Sequence, residues 1–346
     1  MKMNIKVPIP DKEYKVMVRC ATYNQSKYIW DALNGFAIQE TDFPFICIVV
    51  DDASKDGNQE VIKQYANDNC NVSNAYVSDD DISVYMRVPH KTNTNCVYLF
   101  CFLKVNLYRK QEKQEIYKPY RTVCEYEAIC EGDDYWIDPL KLQKQVDFLD
   151  SNSNYSFCHT GFSFYYQGKN KFESCAPIPS FSNAIEKMIA ILDYNHYRVQ
   201  TNTVLMRREA LNRVYTNNDC FDKRFFMGDT QLWVLLLEQG NCYYLEDNTA
   251  VYRINEESAC RSRDYKKQLR FWISSEEMRL YLFNRLNYYL EVYDKVYDSY
   301  LKKCYEYKHL DPSFQPMFDL KIRNHFDYFR FVLKYQYRKL KHKIFS

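Results

Sequence analysis

Three groups of acids in this 346-residue chain have the type and spacing to do chemistry: Asp51-Asp52, the run Glu131-Gly132-Asp133-Asp134, and Asp229. The first two each follow a short apolar segment that reads as a buried strand, residues 45–50 and 126–130. Adjacent carboxylates at a strand end repel one another, and an organised cation or hydrogen-bond donor is their natural compensation. A set made only of oxygens suits a hard divalent ion, Mg²⁺ or Mn²⁺, shared with a phosphate. The ordinary alternative is a solvated turn whose acids cap the next helix. Two such pairs after two strands weigh against it. Asp229 precedes an apolar stretch, residues 232–237, where on local sequence alone an aspartate caps a helix.

Composition removes several other chemistries. There are seven glycines and no G-x-G, so the dinucleotide fingerprint is missing; Gly168-Lys169 has Ser163 where a P-loop needs its first glycine, and no H-E-x-x-H occurs. Thirteen scattered cysteines without a C-x-x-C spell neither a disulfide framework nor a zinc knuckle and read as reduced thiols. A formal net charge of +2 gives no bulk drive toward nucleic acid. The N-terminal residues lack an apolar signal core, and the longest apolar stretch, 97–103, is too short to span a bilayer, so neither a classical export signal nor a transmembrane helix is expected.

The elements that must position the acids alternate. Strand signals at 15–20, 45–50, 84–87 and 126–130 are interleaved with helix signals at 26–39 and 59–67. The stretch 95–109 reads as a buried helix and 110–121 as a charged surface connection. Pro139 is expected to open a helix over 138–150, in the first-turn position where its missing amide proton costs little. A strand over 155–166, helices over 184–193 and 229–239, and a mainly helical region from 264 complete the pattern. It predicts a doubly wound α/β sheet, in which ligands collect beyond the carboxyl ends of the strands. Both acidic clusters belong to that edge.

The order of Val16-Met17-Val18-Arg19-Cys20-Ala21-Thr22-Tyr23-Asn24, Val49-Val50-Asp51-Asp52-Ala53-Ser54-Lys55-Asp56-Gly57 and Glu131-Gly132-Asp133-Asp134-Tyr135-Trp136 resembles the inverting glycosyltransferases of family 2. The run from Asp138 to Gln145 is similar to bacterial members that build surface polysaccharides. The resemblance implies a GT-A fold, a Rossmann-like nucleotide-sugar-binding sheet flanked by helices. It implies a domain over 1–263, with a nucleotide half over 14–137 and an acceptor half over 138–263. A helical extension over 264–346 follows.

By the same resemblance the donor is a nucleoside-diphosphate sugar, with UDP expected, and the acceptor a glycan or lipid-linked glycan hydroxyl in cell-surface polysaccharide synthesis. Thr22 and Tyr23 line the base pocket and Asp52 accepts a hydrogen bond from the base. Asp133 and Asp134 match the metal and ribose motif, Asp134 as direct ligand of Mn²⁺ or Mg²⁺. Asp229 is the base, and Arg253, before Glu257-Ser258-Ala259, is a diphosphate partner with an ordinary salt bridge as the equal alternative. Trp136 and Trp233 are acceptor-site candidates because they lie near proposed catalytic acids, although Trp233 also suits a helix core.

Residues 323–346 carry seven Lys/Arg against one acid, Asp327, and Phe326, Phe329, Leu333, Tyr337, Leu340 and Ile344 recur at helical spacing. Such a basic amphipathic helix fits an anionic membrane surface or, equally, its own domain. The expected enzyme is cytoplasmic, and peripheral at the inner face of the membrane on the first of these two readings of the helix. Two alternatives stay open: a metal-dependent phosphotransferase or phosphatase, and a non-catalytic glycan-binding protein of the same fold. Against the first, its D-x-D-x-[TV] run is absent at Asp51-Asp52-Ala53-Ser54.

Overall fold

The computed structural model describes residues 6–320 except 109, 111, 177, 195, 217–223, 256–263 and 288–290, together with 329, 331–333 and 336. The chain divides into two compact units. The first is built from Met1–Lys187, Tyr197–Cys220 and Leu235–Asn255, the second from Met188–His196, Phe221–Val234 and Glu256–Ser346.

The first unit begins β1 (Tyr14–Thr22), α1 (Ile29–Ala37), β2 (Phe45–Asp51), α2 (Asn58–Asn69), β3 (Tyr76–Asp79), β4 (Ser83–Pro89) and β5 (Cys96–Leu103). It continues with α3 (Glu112–Arg121), β6 (Cys124–Ile129), β7 (Tyr135–Trp136), α4 (Lys141–Ser151), β8 (Tyr155–Tyr166) and β9 (Lys171–Ser174). After α5 (Ala184–Leu192), which runs into the second unit, come β10 (Leu205–Arg207) and α6 (Arg208–Thr216). Next are α7 (Asp229–Leu237), which begins in the second unit, and β11 (Asn241–Ile254). The strands form one sheet in the order β3-β4-β5-β2-β1-β6-β10-β8-β11-β7, with β9 on β8. The block β5-β2-β1-β6 is parallel; β3, β4, β7, β9 and β10 pair antiparallel with their neighbours, and β8 and β11 run parallel to each other.

Every residue of β2 and of β5 is buried, as a parallel strand covered on both faces requires. Alternate side chains feed two cores. Val16, Val18, Cys20, Cys47 and Val49 face one side and pack with Leu33 and Phe36 of α1, Tyr65 of α2 and Leu142 of α4. Met17, Ile46, Ile48 and Val50 face the other and pack with Ile116, Tyr117 and Tyr120 of α3. A buried ion group pins β6 between them: Glu127, fully buried, meets Arg208 at 2.6 Å, Arg121 at 3.2 Å and Arg19 at 3.7 Å. Burial alone would raise the pKa of Glu127, but the three arginines hold it below the usual carboxylate value.

This is the mixed α/β sheet with flanking helices that the sequence analysis expected, with two corrections. Residues 95–109, read as a buried helix, contain β5, because a continuous apolar run has no period to separate strand from helix. Residues 110–121, read as a surface connection, contain α3, whose three apolar side chains are spaced along one face despite Pro119. In addition, α4 begins at Lys141 rather than at Pro139. Asp138 bonds the amide of Leu140, and the carbonyl of Pro139 accepts from Glu40.

In the second unit, α8 (Tyr265–Leu286) is capped by Asp264, whose carboxylate accepts from the amides of Lys266 and Lys267. It is followed by α9 (Glu291–Leu310). Lys303 and Ser299 of α9 and Tyr194 all bond Glu276 of α8. Of the basic C-terminal stripe, Phe329 and Leu333 are exposed, while Phe326, Tyr337, Leu340 and Ile344 lie outside the described residues, as do Glu257, Ser258 and Ala259. No helix among the described residues is long and apolar enough to cross a membrane.

Gly35 of α1 faces β7 so closely that an added Cβ would stand 2.7 Å from the Trp136 amide nitrogen and 2.9 Å from its carbonyl oxygen. Backbone cannot yield as a flexible side-chain tip can. Gly35→Ala is therefore expected to lower the urea midpoint by about 1–3 kcal/mol of stability, and an unchanged midpoint would mean that α1 slides freely over β7.

Candidate functional site

The site is assembled at the carboxyl ends of β1, β2 and β6. Thr22 ends β1 directly beside Asp51, the last residue of β2. Beyond the strands the backbones stay joined: the Asp52 amide donates to the Thr22 carbonyl at 3.0 Å, and the Gly132 amide donates to Ala21 at 3.0 Å. The chain runs outward from β1 to β2 and β5 on one side and to β6 on the other, so the strand order reverses here. Such a reversal opens a crevice.

Gly132 is needed for the close approach. A Cβ there would sit 2.7 Å from the Thr22 side chain and from Gln25 Oε1. The loops after β1 and β2 are laced together as well, because Ser54 Oγ accepts from the Asn24 amide and Asn24 Oδ1 from the Lys55 amide. Asn24 and Ala53 both adopt left-handed backbone, with φ 53° and 58°. For alanine that conformation costs about 1–2 kcal/mol, so the surrounding bonds must hold it.

The acids after β2 have different roles. Asp51 is fully buried and accepts from Asn58 Nδ2 at 2.7 Å, Gln59 Nε2 at 2.8 Å and the Ser54 amide at 3.0 Å, which makes it a latch on α2. Asp52 is 3% exposed; its carboxylate takes the Leu107 amide at 2.6 Å and Lys113 Nζ at 2.9 Å. Two bonds leave part of its acceptor capacity unused, since a carboxylate offers about four lone-pair sites. Thr22 is buried, with Oγ1 accepting from Asn58 Nδ2, whereas Tyr23 is 45% exposed and presents its ring.

After β6 stands the acid pair. Asp134 is 3% exposed, and its Oδ1 accepts from the backbone amide of Arg253 at 2.9 Å. Burial, reinforced by the charge of Asp133, pushes the Asp134 pKa well above the usual carboxylate range. Burial raises that of Asp133 too. The Arg253 side chain binds the Asp133 carbonyl through Nε at 2.8 Å, Asp31 of α1 through Nη2 at 2.6 Å and Gln167 through Nη1. Its guanidinium also lies 4.8 Å from the Tyr28 ring centroid, 5.2 Å from Tyr135 and 5.3 Å from Tyr165. Arg253 thus ties the acid loop to α1 through its ion pair with Asp31.

Two side-chain amides flank Asp133: Asn255 donates to Oδ2 at 3.4 Å, and Gln25 also hydrogen-bonds it. Gln25 Oε1 and Asn255 Oδ1 are both buried with no hydrogen-bond partner. Among the described residues no three His, Cys, Asp or Glu side chains are grouped to hold a metal ion. Two high-pKa carboxylates among orphaned amide oxygens nonetheless match a hard divalent cation in donor type and in charge. The residues fit.

Asp229, in the second unit, opens α7, and its own Oδ1 takes the Thr230 amide at 2.7 Å. The residue is solvent-exposed, yet surrounding protein desolvates its carboxyl and raises the pKa, against a lowering influence from Arg279. The tryptophans correct the acceptor-site expectation. Trp136 is 1% exposed, donates from Nε1 to the Asn202 carbonyl at 2.7 Å and carries Lys141 Nζ 4.7 Å from its ring centroid. Trp233 is 2% exposed. Neither presents a face to a sugar.

Sequence reading missed Gln25, Asn58, Lys113 and Asn255. Gln25, Asn58 and Asn255 carry no charge, Lys113 lies in the charged run 110–121 that was read as a surface connection, and each becomes relevant only through contacts between loops. The sole available signal was position, Gln25 lying two residues after Tyr23.

Residues 18–87 match the family model described as Glycosyl transferase family 2, which bears out the family resemblance. Uncharacterized protein Rv1520 of Mycobacterium tuberculosis and Uncharacterized protein Mb1547 of Mycobacterium bovis are each 30% identical over 251 residues, 72% of this chain. The matched region spans 62% of the length of these relatives. S. aureus TarS 1-349 in complex with UDP-GlcNAc is 18% identical with a TM-score of 0.48, over 86% of this chain and 74% of that one. Mannosyltransferase PcManGT from Pyrobaculum calidifontis, in complex with GDP-Man and Mn2+, is 14% identical with a TM-score of 0.46, over 90% and 74%.

The raised pKa of Asp134 has a measurable sign. Above its folded-state value the ionised carboxylate costs stability, and as pH falls through that value toward the unfolded one the cost disappears. Asp134→Asn should thus be more stable than the parent at pH 7.5 without metal, with the advantage shrinking on acidification. Denaturant melts across pH test this, and a constant difference would remove the titration.

Proposed function

We propose, from the family 2 glycosyl transferase match of residues 18–87, that the chain is an inverting glycosyltransferase. It moves a sugar from a nucleoside diphosphate, UDP in our reading, to a hydroxyl of a glycan or lipid-linked glycan. The observation that carries this reading is the meeting of Thr22, Asp52, the partly buried Asp133 and the buried Asp134 where the strand order reverses. A nucleotide needs an apolar or aromatic rest for its base, an acceptor for a base N–H, and compensation for its phosphates. Tyr23 and Thr22, Asp52, and a cation on the acid pair supply these in turn.

Asp134 and Asp133 would hold Mn²⁺ or Mg²⁺, which when bound neutralises charge on the diphosphate leaving group. Arg253 keeps the acid loop in place by its ties to Asp31, Asp133 and Gln167. Asp229 takes the proton of the attacking hydroxyl, and a carboxyl with raised pKa is a better proton acceptor than an ordinary one. The basic sequence of residues 323–346 supports contact with an anionic membrane surface, where a lipid-linked acceptor would be met.

Calorimetric titration of UDP and of GDP, each with and without Mn²⁺, tests the donor half. One nucleotide should bind with metal and lose that binding in Asp134→Ala; no binding of either would remove the donor reading. Asp229→Asn should bind the nucleotide as the parent does and lose turnover by about 10²-fold or more. The parent's kcat/KM should fall as pH drops through a pKa above the ordinary aspartate value, because only the ionised base accepts a proton. Normal turnover in the Asn variant would make Asp229 a helix cap.

A further inference from the structure

Trp136 and Trp233 are buried, yet open aromatic surface does lie beside the acid loop. Phe172 of β9, Tyr165 of β8 and Arg253 of β11 are register partners across three neighbouring strands, so their side chains share one face of the sheet. The Phe172 and Tyr165 rings stack with centroids 4.5 Å apart and planes 25° apart, and on the other side of Tyr165 the Arg253 guanidinium lies 5.3 Å from its centroid. The Tyr165 hydroxyl donates to Asn170 Oδ1 at 2.8 Å, which keeps the middle ring from turning. Phe172, the outermost member, is 56% exposed. A single exposed phenylalanine needs no explanation. One whose plane is fixed by a stack holds a flat apolar face to solvent, with its side-chain ordering already accomplished.

Arg253 also gathers polar groups around the same guanidinium. Its Nη2 takes one oxygen of Asp31 and its Nη1 the side-chain oxygen of Gln167, which leaves the second Asp31 oxygen and the Gln167 NH₂ group for other partners. Both side chains reach solvent, that of Asp31 to 50%. A flat apolar face rimmed by a carboxylate oxygen and an amide NH₂ matches a pyranose ring, which offers a face of C–H groups and a rim of hydroxyls that donate and accept. A lipid surface fits badly: the hairpin tip is Gln167-Gly168-Lys169-Asn170, and the ion-paired Lys171 and Glu173 flank the phenylalanine. The same arginine sets the distance to the acids, since its amide holds Asp134 and its Nε the Asp133 carbonyl.

We propose that Phe172, backed by Tyr165, is the rest for a pyranose ring of the acceptor glycan, with Asp31 and Gln167 binding its hydroxyls. The saccharide follows from the surface itself; its role as acceptor rests on the glycosyltransferase reading above. The sugar of the donor is the other source of a pyranose ring. It arrives on a diphosphate held at the acids, whereas an open face on β9, a strand paired only through β8, suits a chain that extends past the site.

The experiment applies the full chain to an array of immobilised bacterial and synthetic glycans, with Mn²⁺ and with UDP, GDP or neither. Parent, Phe172→Ser and Phe172→Trp are compared, and calorimetry of UDP, GDP and one hexose derivative of each is run on all three. Phe172→Ser should weaken binding to the glycans that the parent retains by about fivefold or more. Phe172→Trp keeps the flat face and should retain them, and affinity for the free nucleotide should be unchanged in both. Melting temperature shows that the exposed substitution leaves the fold intact.

Equal glycan binding by Phe172→Ser and the parent overturns the platform, as does a parent that retains no glycan under any condition. A loss confined to the nucleotide sugar, with glycans and free nucleotide unaffected, assigns the face to the donor and overturns the acceptor role. A parent that binds glycans through Phe172 but no nucleotide keeps the saccharide site and removes the glycosyltransferase reading, and the acceptor role with it.

Discussion

Two carboxylates placed side by side and taken out of water set the terms for this molecule. Ionising Asp134 beside Asp133 is costly, and much of the surrounding architecture lowers that cost or holds the pair in spite of it. The Arg253 amide meets one carboxylate, two side-chain amides meet the other, and the Arg253 guanidinium grips the loop carbonyl between them. The same guanidinium ties in α1 through Asp31 and the end of β8 through Gln167. One side chain therefore fixes the separation of the elements that frame the site, and three tyrosine rings around it keep it desolvated.

The acids after β2 show how position divides labour among identical residues. Asp51 spends its acceptors on α2 and on its own turn, so it stabilises the fold. Asp52, one residue later, points to the opposite side, meets Lys113 and the Leu107 amide, and keeps capacity for a ligand. Alternation along an extended chain is sufficient to give two adjacent acids separate sets of partners.

Much of this was legible in the chain itself. Acid clusters at the ends of apolar strands announced the sheet, because burial on two faces favours apolar runs, and a charge within one, as at Glu127 of β6, needs the three arginines that meet it. The same continuity hid β5: Cys96–Leu103 is apolar throughout, and its strand character comes from pairing with β2 and β4 rather than from any period of its own. For α3, charge concealed an apolar face of three side chains. The tryptophans misled for the converse reason, since proximity in sequence to Asp133 and Asp229 says nothing about which way a ring points. Gln25 and Asn255 were invisible because a neutral amide carries no pattern; their meaning arises from a meeting across 230 positions of the chain.

That meeting also bears on when the site comes into being. Asp134 is held by the amide of a residue 119 positions later, at the far end of β11, a strand whose place in the sheet depends on pairing with β8. Contacts this distant close late, after local elements and neighbouring strands have formed. On the ribosome, the nascent chain displays its acids long before it displays the groups that organise them. An incomplete product ending before β11 would keep the parallel block while lacking the Arg253 amide that holds Asp134.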